Sequence, residues 1–153
     1  MKPILCTMFA FFVIVCLSPC AAFAAETVAV NEDVVYFEDG SYIVTIAEEI
    51  VSRASGIKTQ TKSRTYYDSN DVAEWKITLT GIFSYNGSSA TCTESTCSVD
   101  VYASNWYLIS KTAEKSSNIA SCTVTLGKTF LGITISKPVH TLTIVCDKDG
   151  NFT

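Results

Sequence analysis

Four cysteines, one histidine, a few carboxylates and a set of tyrosines are the side chains of this sequence that could do chemistry. Beyond residue 24 the cysteines are Cys92, Cys97, Cys122 and Cys146, and their spacing lacks the paired CxxC units that hold zinc. An even number in an exported chain points to two disulfides, with three pairings open. Pairing Cys92 with Cys146 and Cys97 with Cys122 ties distant segments and constrains the unfolded chain most; a local Cys92–Cys97 loop is the rival. His140 is the only histidine. No Gly-x-Ser-x-Gly elbow accompanies it, so a serine-type triad is not expected, and His140 reads as a hydrogen-bonded structural residue. Asp68, Asp71 and Glu74 could hydrolyse a glycosidic bond if two of them faced each other across a cleft; beside a turn they are otherwise solvated. Asp147-x-Asp149-Gly150-Asn151 begins like a calcium loop but has no later glutamate. The expectation is no catalytic residue, no metal and no cofactor.

Aromatic residues are the other resource, because pyranose rings stack on exposed Trp and Tyr faces. Trp75 shares parity with Ile77 and Leu79, and Trp106 has apolar neighbours, so both are expected in the core. Tyr66 and Tyr67 are adjacent, so on a strand one of them faces outward. Tyr102 lies opposite the Val99–Val101 parity. Tyr67, Tyr102 and Tyr107 are therefore the candidate ligand contacts.

The elements that must position these residues are strands. Before them, one lysine, an apolar run from Ile4 to Leu17 and an Ala22-Phe23-Ala24 ending form the three regions of a signal peptide. The run is too short for a membrane anchor and is broken by Pro19. Leu17-Ser18-Pro19-Cys20 is a poor lipobox, so lipidation is not expected. Cleavage after Ala24 leaves residues 25–153 as one secreted domain and removes Cys6, Cys16 and Cys20. Of the 11 basic residues only Lys2 departs, so the secreted part is more acidic than the −4 of the whole chain. That balance argues against nucleic acid or an anionic membrane as partner.

Thr, Val, Ile and Tyr dominate the rest, and Pro138 is the only proline beyond the leader. Val34–Glu38, Asp39-Gly40 and Tyr42–Ile46 read as a hairpin with a two-residue turn. Thr45 and Glu48 could instead open a short helix, but Ile50-Val51 offers too little apolar face to hold it, so strand is preferred. A Thr- and Tyr-rich extended stretch follows over 57–67, turned by Asp68–Asp71. Trp75, Ile77, Leu79, Gly81, Phe83 and Tyr85 then alternate with polar residues, and Asn86-Gly87 marks a second hairpin. Cys92 and the Cys97–Val101 set differ in parity by one residue, which predicts a bulge or turn near Glu94–Thr96. Trp106 opens another strand, Lys111–Asn118 reads as a loop, and strands are expected around 122–126, 129–136 and 142–146. Seven acids and no base lie between Glu26 and Glu49, while Arg53, Lys58, Lys62 and Arg64 follow without an acid. Cross-strand pairing on exposed faces explains this more simply than a basic strip for an acidic ligand. The fold class is an all-β antiparallel sandwich of about eight or nine strands, immunoglobulin-like in general architecture and disulfide-stabilised.

Cys92, Trp106 and Cys146 resemble the core triplet of immunoglobulin domains, although Thr143-Ile144-Val145-Cys146 lacks their tyrosine corner. Residues 58–146 resemble, more closely, a family of small secreted, largely uncharacterised proteins from Gram-positive, often gut-dwelling, bacteria. The resemblance rests on Lys62–Tyr67, Trp75–Gly81, Phe83–Cys92 and Leu142–Cys146. It implies an exported β-protein with Cys92 and Cys146 at recurring positions and Cys97 and Cys122 as an addition; it supplies no catalytic residues. The functional expectation is a secreted, non-enzymatic protein that binds at the cell surface or to an extracellular polymer such as a glycan. The alternatives are a hydrolase with paired carboxylates and a protein-binding module that uses a sheet edge.

Overall fold

The computed structural model describes residues 26–51 and 56–153. The expected leader, its three cysteines and Arg53 lie outside the described residues. Nine strands are described: β1 (Glu26–Tyr36), β2 (Tyr42–Val51), β3 (Ile57–Tyr67), β4 (Ala73–Tyr85), β5 (Ala90–Val101), β6 (Trp106–Ser116), β7 (Ile119–Phe130), β8 (Ile133–Ser136) and β9 (Val139–Val145). They form two antiparallel sheets, one of five strands in the order β1-β2-β3-β4-β5 and one of four, in which β7 pairs β6 on one side and β8 and β9 on the other. Neighbours in the first sheet are consecutive in the chain. This meander differs from the Greek-key crossings of immunoglobulin domains, so the likeness to them stops at two layered sheets.

The β4 alternation sets the core. Trp75, Ile77, Leu79 and Phe83 are fully buried and face Ala120, Cys122, Val124 and Leu126 of β7 and Leu142 and Ile144 of β9. Each large apolar side chain so buried contributes roughly 1.5–3 kcal/mol. Gly81 falls within this buried row because a Cβ there would meet the Phe83 ring at 2.5 Å and Ala120 Cβ at 2.9 Å. On β5 the register slips where Ile82 faces Glu94 and Phe83 faces Cys92, leaving Thr93 as the extra residue. The bulge thus falls just before the expected place, and it turns both Cys92 and Cys97 inward on one continuous strand.

Three local expectations are corrected. The first hairpin closes through a longer loop, with Phe37 N–H donating to Ser41 C=O at 2.9 Å and positive φ at Gly40 alone. The Asp39 carboxylate accepts from Ser41 N–H and Oγ–H and so holds that loop. The stretch read as a loop, Lys111–Asn118, is mostly strand: β6 runs to Ser116 and turns at Ser117, which takes a positive φ of 51°. Beyond Trp106 both faces of β6 are exposed, so no hydrophobic alternation could announce it. Its lysines reach the neighbouring strand, Lys115 Nζ donating to Thr93 C=O and Lys111 Nζ to Cys97 C=O, which covers that sheet edge with charge. Finally, no disulfide stands at bonding distance, and this structure describes the reduced state, with Cys92, Cys97, Cys122 and Cys146 as thiols. Three of them donate to nearby carbonyls, Cys92 Sγ to Glu94 C=O at 3.2 Å, Cys146 Sγ to Asp147 C=O at 3.5 Å and Cys97 Sγ to Ser98 C=O at 3.9 Å.

Candidate functional site

The second sheet is narrower than the first, so β1 and β2 extend past it. Their inner face, with that of β3, therefore forms the floor of a groove rather than part of the core. Register determines which residues line this floor. Tyr66, Arg64, Lys62 and Lys58 of β3 stand opposite Trp75, Ile77, Leu79 and Phe83 of β4 and so share their inward direction. On β2 the same direction falls to Ile43, Thr45, Ala47 and Glu49.

One end of the groove is an aromatic cleft of about 290 Å³, walled by Phe37, Tyr66, Trp75, Trp106 and His140, with Asp39, Lys128 and Pro138 at its margin. Tyr66 stacks on Trp75 at 5.5 Å, and Trp106 meets both rings edge-on at 5.7 and 6.0 Å. Lys128 Nζ lies 5.2 Å from the Trp106 ring centre and 6.0 Å from that of Tyr66, within cation–π range. Trp106 Nε1–H donates to Glu74 Oε2 at 2.6 Å, which fixes its ring.

Two nitrogens of the rings behind this cleft, Trp75 Nε1 and His140 Nε2, have no protein partner, and both are buried out of reach of solvent. The expectation that His140 is fully hydrogen-bonded is therefore corrected at Nε2. Its ring packs 4.5 Å from that of Trp75. Burial, reinforced by the Arg64 charge, holds His140 down at about 4, so its imidazole is neutral near pH 7. A buried polar atom without a partner costs roughly 1–3 kcal/mol.

The other end of the groove is polar, about 500 Å³, with Asn31, Asp33, Thr45, Gln60, Lys62 and Arg64 along it. Lys62 Nζ donates to Thr143 C=O of β9 at 3.2 Å, and Arg64 Nε reaches Thr45 Oγ1 at 3.5 Å. Lys58 pairs with Glu49 at 2.9 Å. Among the described residues the basic stretch thus projects between the sheets, and there only Lys58 makes the simple cross-strand ion pair expected of it. Phe152 and Thr153 close this end, Thr153 exchanging both backbone bonds with Val145 on the outer edge of β9.

The three tyrosines expected to contact a ligand lie apart. Tyr67 joins Tyr42 and Tyr36 in a cross-strand ladder on the outer face of the first sheet, at 4.9 and 5.4 Å between rings. Tyr42 and Tyr67 are nearly parallel, at 12°, so their faces cover each other. Burial, with a hydrogen bond to Asp71, pushes the Tyr42 hydroxyl up. Tyr102 stands 57% exposed in the loop after β5. Tyr107 lies over Gly127 and bonds Thr134 Oγ1 at 2.9 Å on the outside of the second sheet.

The carboxylates are structural too. Asp68 accepts from the N–H groups of Asn70 and Val72, and these bonds hold it below the usual carboxylate range. Asp71 serves Tyr42 and Glu74 serves Trp106. Asp147 accepts from Asn151 and Asp149, forming a self-contained turn where a calcium loop was considered. The missed residues are Phe37, Tyr66, Lys128 and the polar edges of Trp75 and His140. Parity marked Trp75 as inward, but nothing in the sequence marks where the covering sheet stops.

Fold and cleft together define a two-sheet β-protein with an aromatic inter-sheet groove. Comparison with protein-family models, with curated proteins and with solved structures finds no match for this chain.

Proposed function

We propose that the protein is exported and acts outside the cell as a non-enzymatic binding module for a glycan, which it takes in the aromatic cleft. The observation that carries this reading is the aromatic cleft itself, walled by Phe37, Tyr66 and Trp106 with Lys128 and Asp39 at its rim. A pyranose suits such a cleft, because its C–H face packs on aromatic rings while its hydroxyls bond polar groups beside them. Lys128 and Asp39 at the rim add polar contacts for the remaining hydroxyls. The acids that hydrolysis would need are engaged by turns and aromatic groups, which favours binding over catalysis.

The test uses the two tryptophans, since Trp75 and Trp106 are the only ones in the chain and both line the cleft. Co-sedimentation with insoluble peptidoglycan, mucin and plant polysaccharides is paired with tryptophan-fluorescence titration by the matching soluble oligosaccharides. Phe37→Ala, an exposed loop substitution, should weaken binding about tenfold, on the scale of one lost aromatic contact. Tyr67→Ala should leave binding unchanged. Loss with Tyr67→Ala alone would move the site to the outer tyrosine ladder, and retention on no polymer would overturn the glycan reading.

A protein partner is the second reading. It is favoured by the apolar β7–β8 hairpin, where Phe130, Leu131, Ile133 and Ile135 all stand exposed, Leu131 at 86%. Crosslinking on intact cells, compared between wild type and Leu131→Asp, would reveal such a partner.

A further inference from the structure

We propose that the oxidised protein carries two cross-sheet disulfides, Cys97–Cys122 and Cys92–Cys146, and neither of the other two pairings. Strand geometry separates the three possibilities. Cys92 and Cys97 lie on one extended strand, five positions apart with a single bulge between them. At roughly 3.3 Å per residue their Cα atoms stand about 13–16 Å apart. A disulfide needs about 7 Å or less, so the local loop is excluded. On the opposing sheet Cys122 stands opposite Leu142, four residues before Cys146, so these two cysteines are separated by a similar distance. The four sulfurs thus occupy two well-separated ends.

Backbone contacts match the ends. Cys92 N–H donates to Ser117 C=O at 2.7 Å, and Cys146 N–H donates to Asn118 C=O at 3.1 Å, so consecutive residues of one turn hold both. At the other end Ser95 Oγ reaches Ser121 C=O at 3.4 Å, one residue before Cys122. Lys111, whose neighbour Ala113 stands opposite Cys122, donates to Cys97 C=O. Crossed pairing would require each bond to bridge the whole separation. The Cys97 and Cys122 thiols are within interaction range of each other, and burial together with that neighbour pushes the Cys122 thiol up to about 12.

Each bond forms by exchange with an external disulfide such as oxidised glutathione. One cysteine thiolate, its proton passing to solvent, attacks the oxidant's S–S bond and expels one oxidant thiol. The partner thiolate then displaces the second. Two protein thiols are oxidised and one oxidant disulfide is reduced to two thiols. Cys97, the only one of the four that is not buried, is the entry point of its pair. Cys92 and Cys146 are both buried, so their bond forms before the sheets close.

The decisive measurement maps the linkages after the reduced, denatured chain (residues 25–153) is refolded in a glutathione redox buffer. Trypsin alone leaves Cys92 and Cys97 on one peptide, but a glutamate-specific protease cuts between them after Glu94. Double digestion followed by mass spectrometry should give only the 97–122 and 92–146 linked peptides. A 92–97 or 92–122 link, or no link at all, overturns the assignment. Cys97→Ser/Cys122→Ser should keep the 92–146 link, and a variant left with two free thiols after the same refolding would refute independent pairs. In the folded reduced protein, iodoacetamide should modify Cys97 at least tenfold faster than Cys92 or Cys146; equal rates would overturn the proposed order of bond formation.

Discussion

Protonating His140 should destabilise the protein as the pH falls from about 6.5 towards 4. In the folded state its imidazole titrates at about 4, against an ordinary value of 6.5, because it is buried against Trp75 and faces the Arg64 charge. A base with a lowered folded value binds fewer protons when folded than when unfolded throughout that interval. Stability is therefore complete above the unfolded value and declines as the pH drops through the window, levelling off near the folded value. Converted at 1.36 kcal/mol per unit, the full shift is worth about 3.4 kcal/mol. The ring still meets solvent on one side, which screens part of this and leaves about 1–2 kcal/mol at pH 4.5. Urea unfolding at pH 7 and pH 4.5 measures the loss, and His140→Phe, which keeps an aromatic ring on Trp75 without a titrating nitrogen, is the reference. Asp39, Asp68 and Asp147 have folded values lowered from 3.8, so their stabilisation is lost at lower pH and is common to both proteins. Because His140 is the only histidine, its ring resonances give the midpoint directly by NMR. A midpoint near 6.5, or equal pH dependence in wild type and His140→Phe, would refute the reasoning.

Other substitutions probe the packing and the site. Gly81→Ala forces a methyl against Phe83 and Ala120 and should cost about 1–3 kcal/mol, seen as a lower thermal midpoint. Gly87→Ala has open space around it and should cost less, through its φ of +80° alone. Breaking both proposed disulfides with a reductant should lower stability by about 3–4 kcal/mol for each loop in the chain-entropy model, so urea midpoints should differ clearly with and without reductant. Glu74→Ala leaves Trp106 Nε1 without its acceptor and should cost about 1–3 kcal/mol, with a shift in tryptophan fluorescence.

Period-two alternation and turn chemistry made the all-β class legible in the sequence. Trp75 to Phe83 alternate because one side of β4 meets the second sheet. Asn86-Gly87 and Asp68–Asp71 turn the chain because their side chains and positive-φ positions satisfy the local backbone. The mismatch between Cys92 and Cys97 announced a bulge because a single extra residue reverses parity. These are local properties, set within a few residues.

What only the tertiary structure decided depends on where one sheet ends against the other. Lys58, Lys62 and Arg64 share a parity in the sequence, but the groove that receives them exists because β1 and β2 outreach the second sheet. Trp75 and Trp106 were legible as core residues, but periodicity does not show that the same rings form the inner wall of a cleft. The polar second half of β6, from Lys111, passed for a loop because an edge strand exposed on both sides needs no alternation. The separation of Tyr67, Tyr102 and Tyr107 onto different surfaces, and the convergence of Phe37, Tyr66, Trp106 and His140 from distant strands, follow from sheet order. Sheet order is a long-range choice made by the burial of whole faces, and the spacing of neighbouring residues does not encode it.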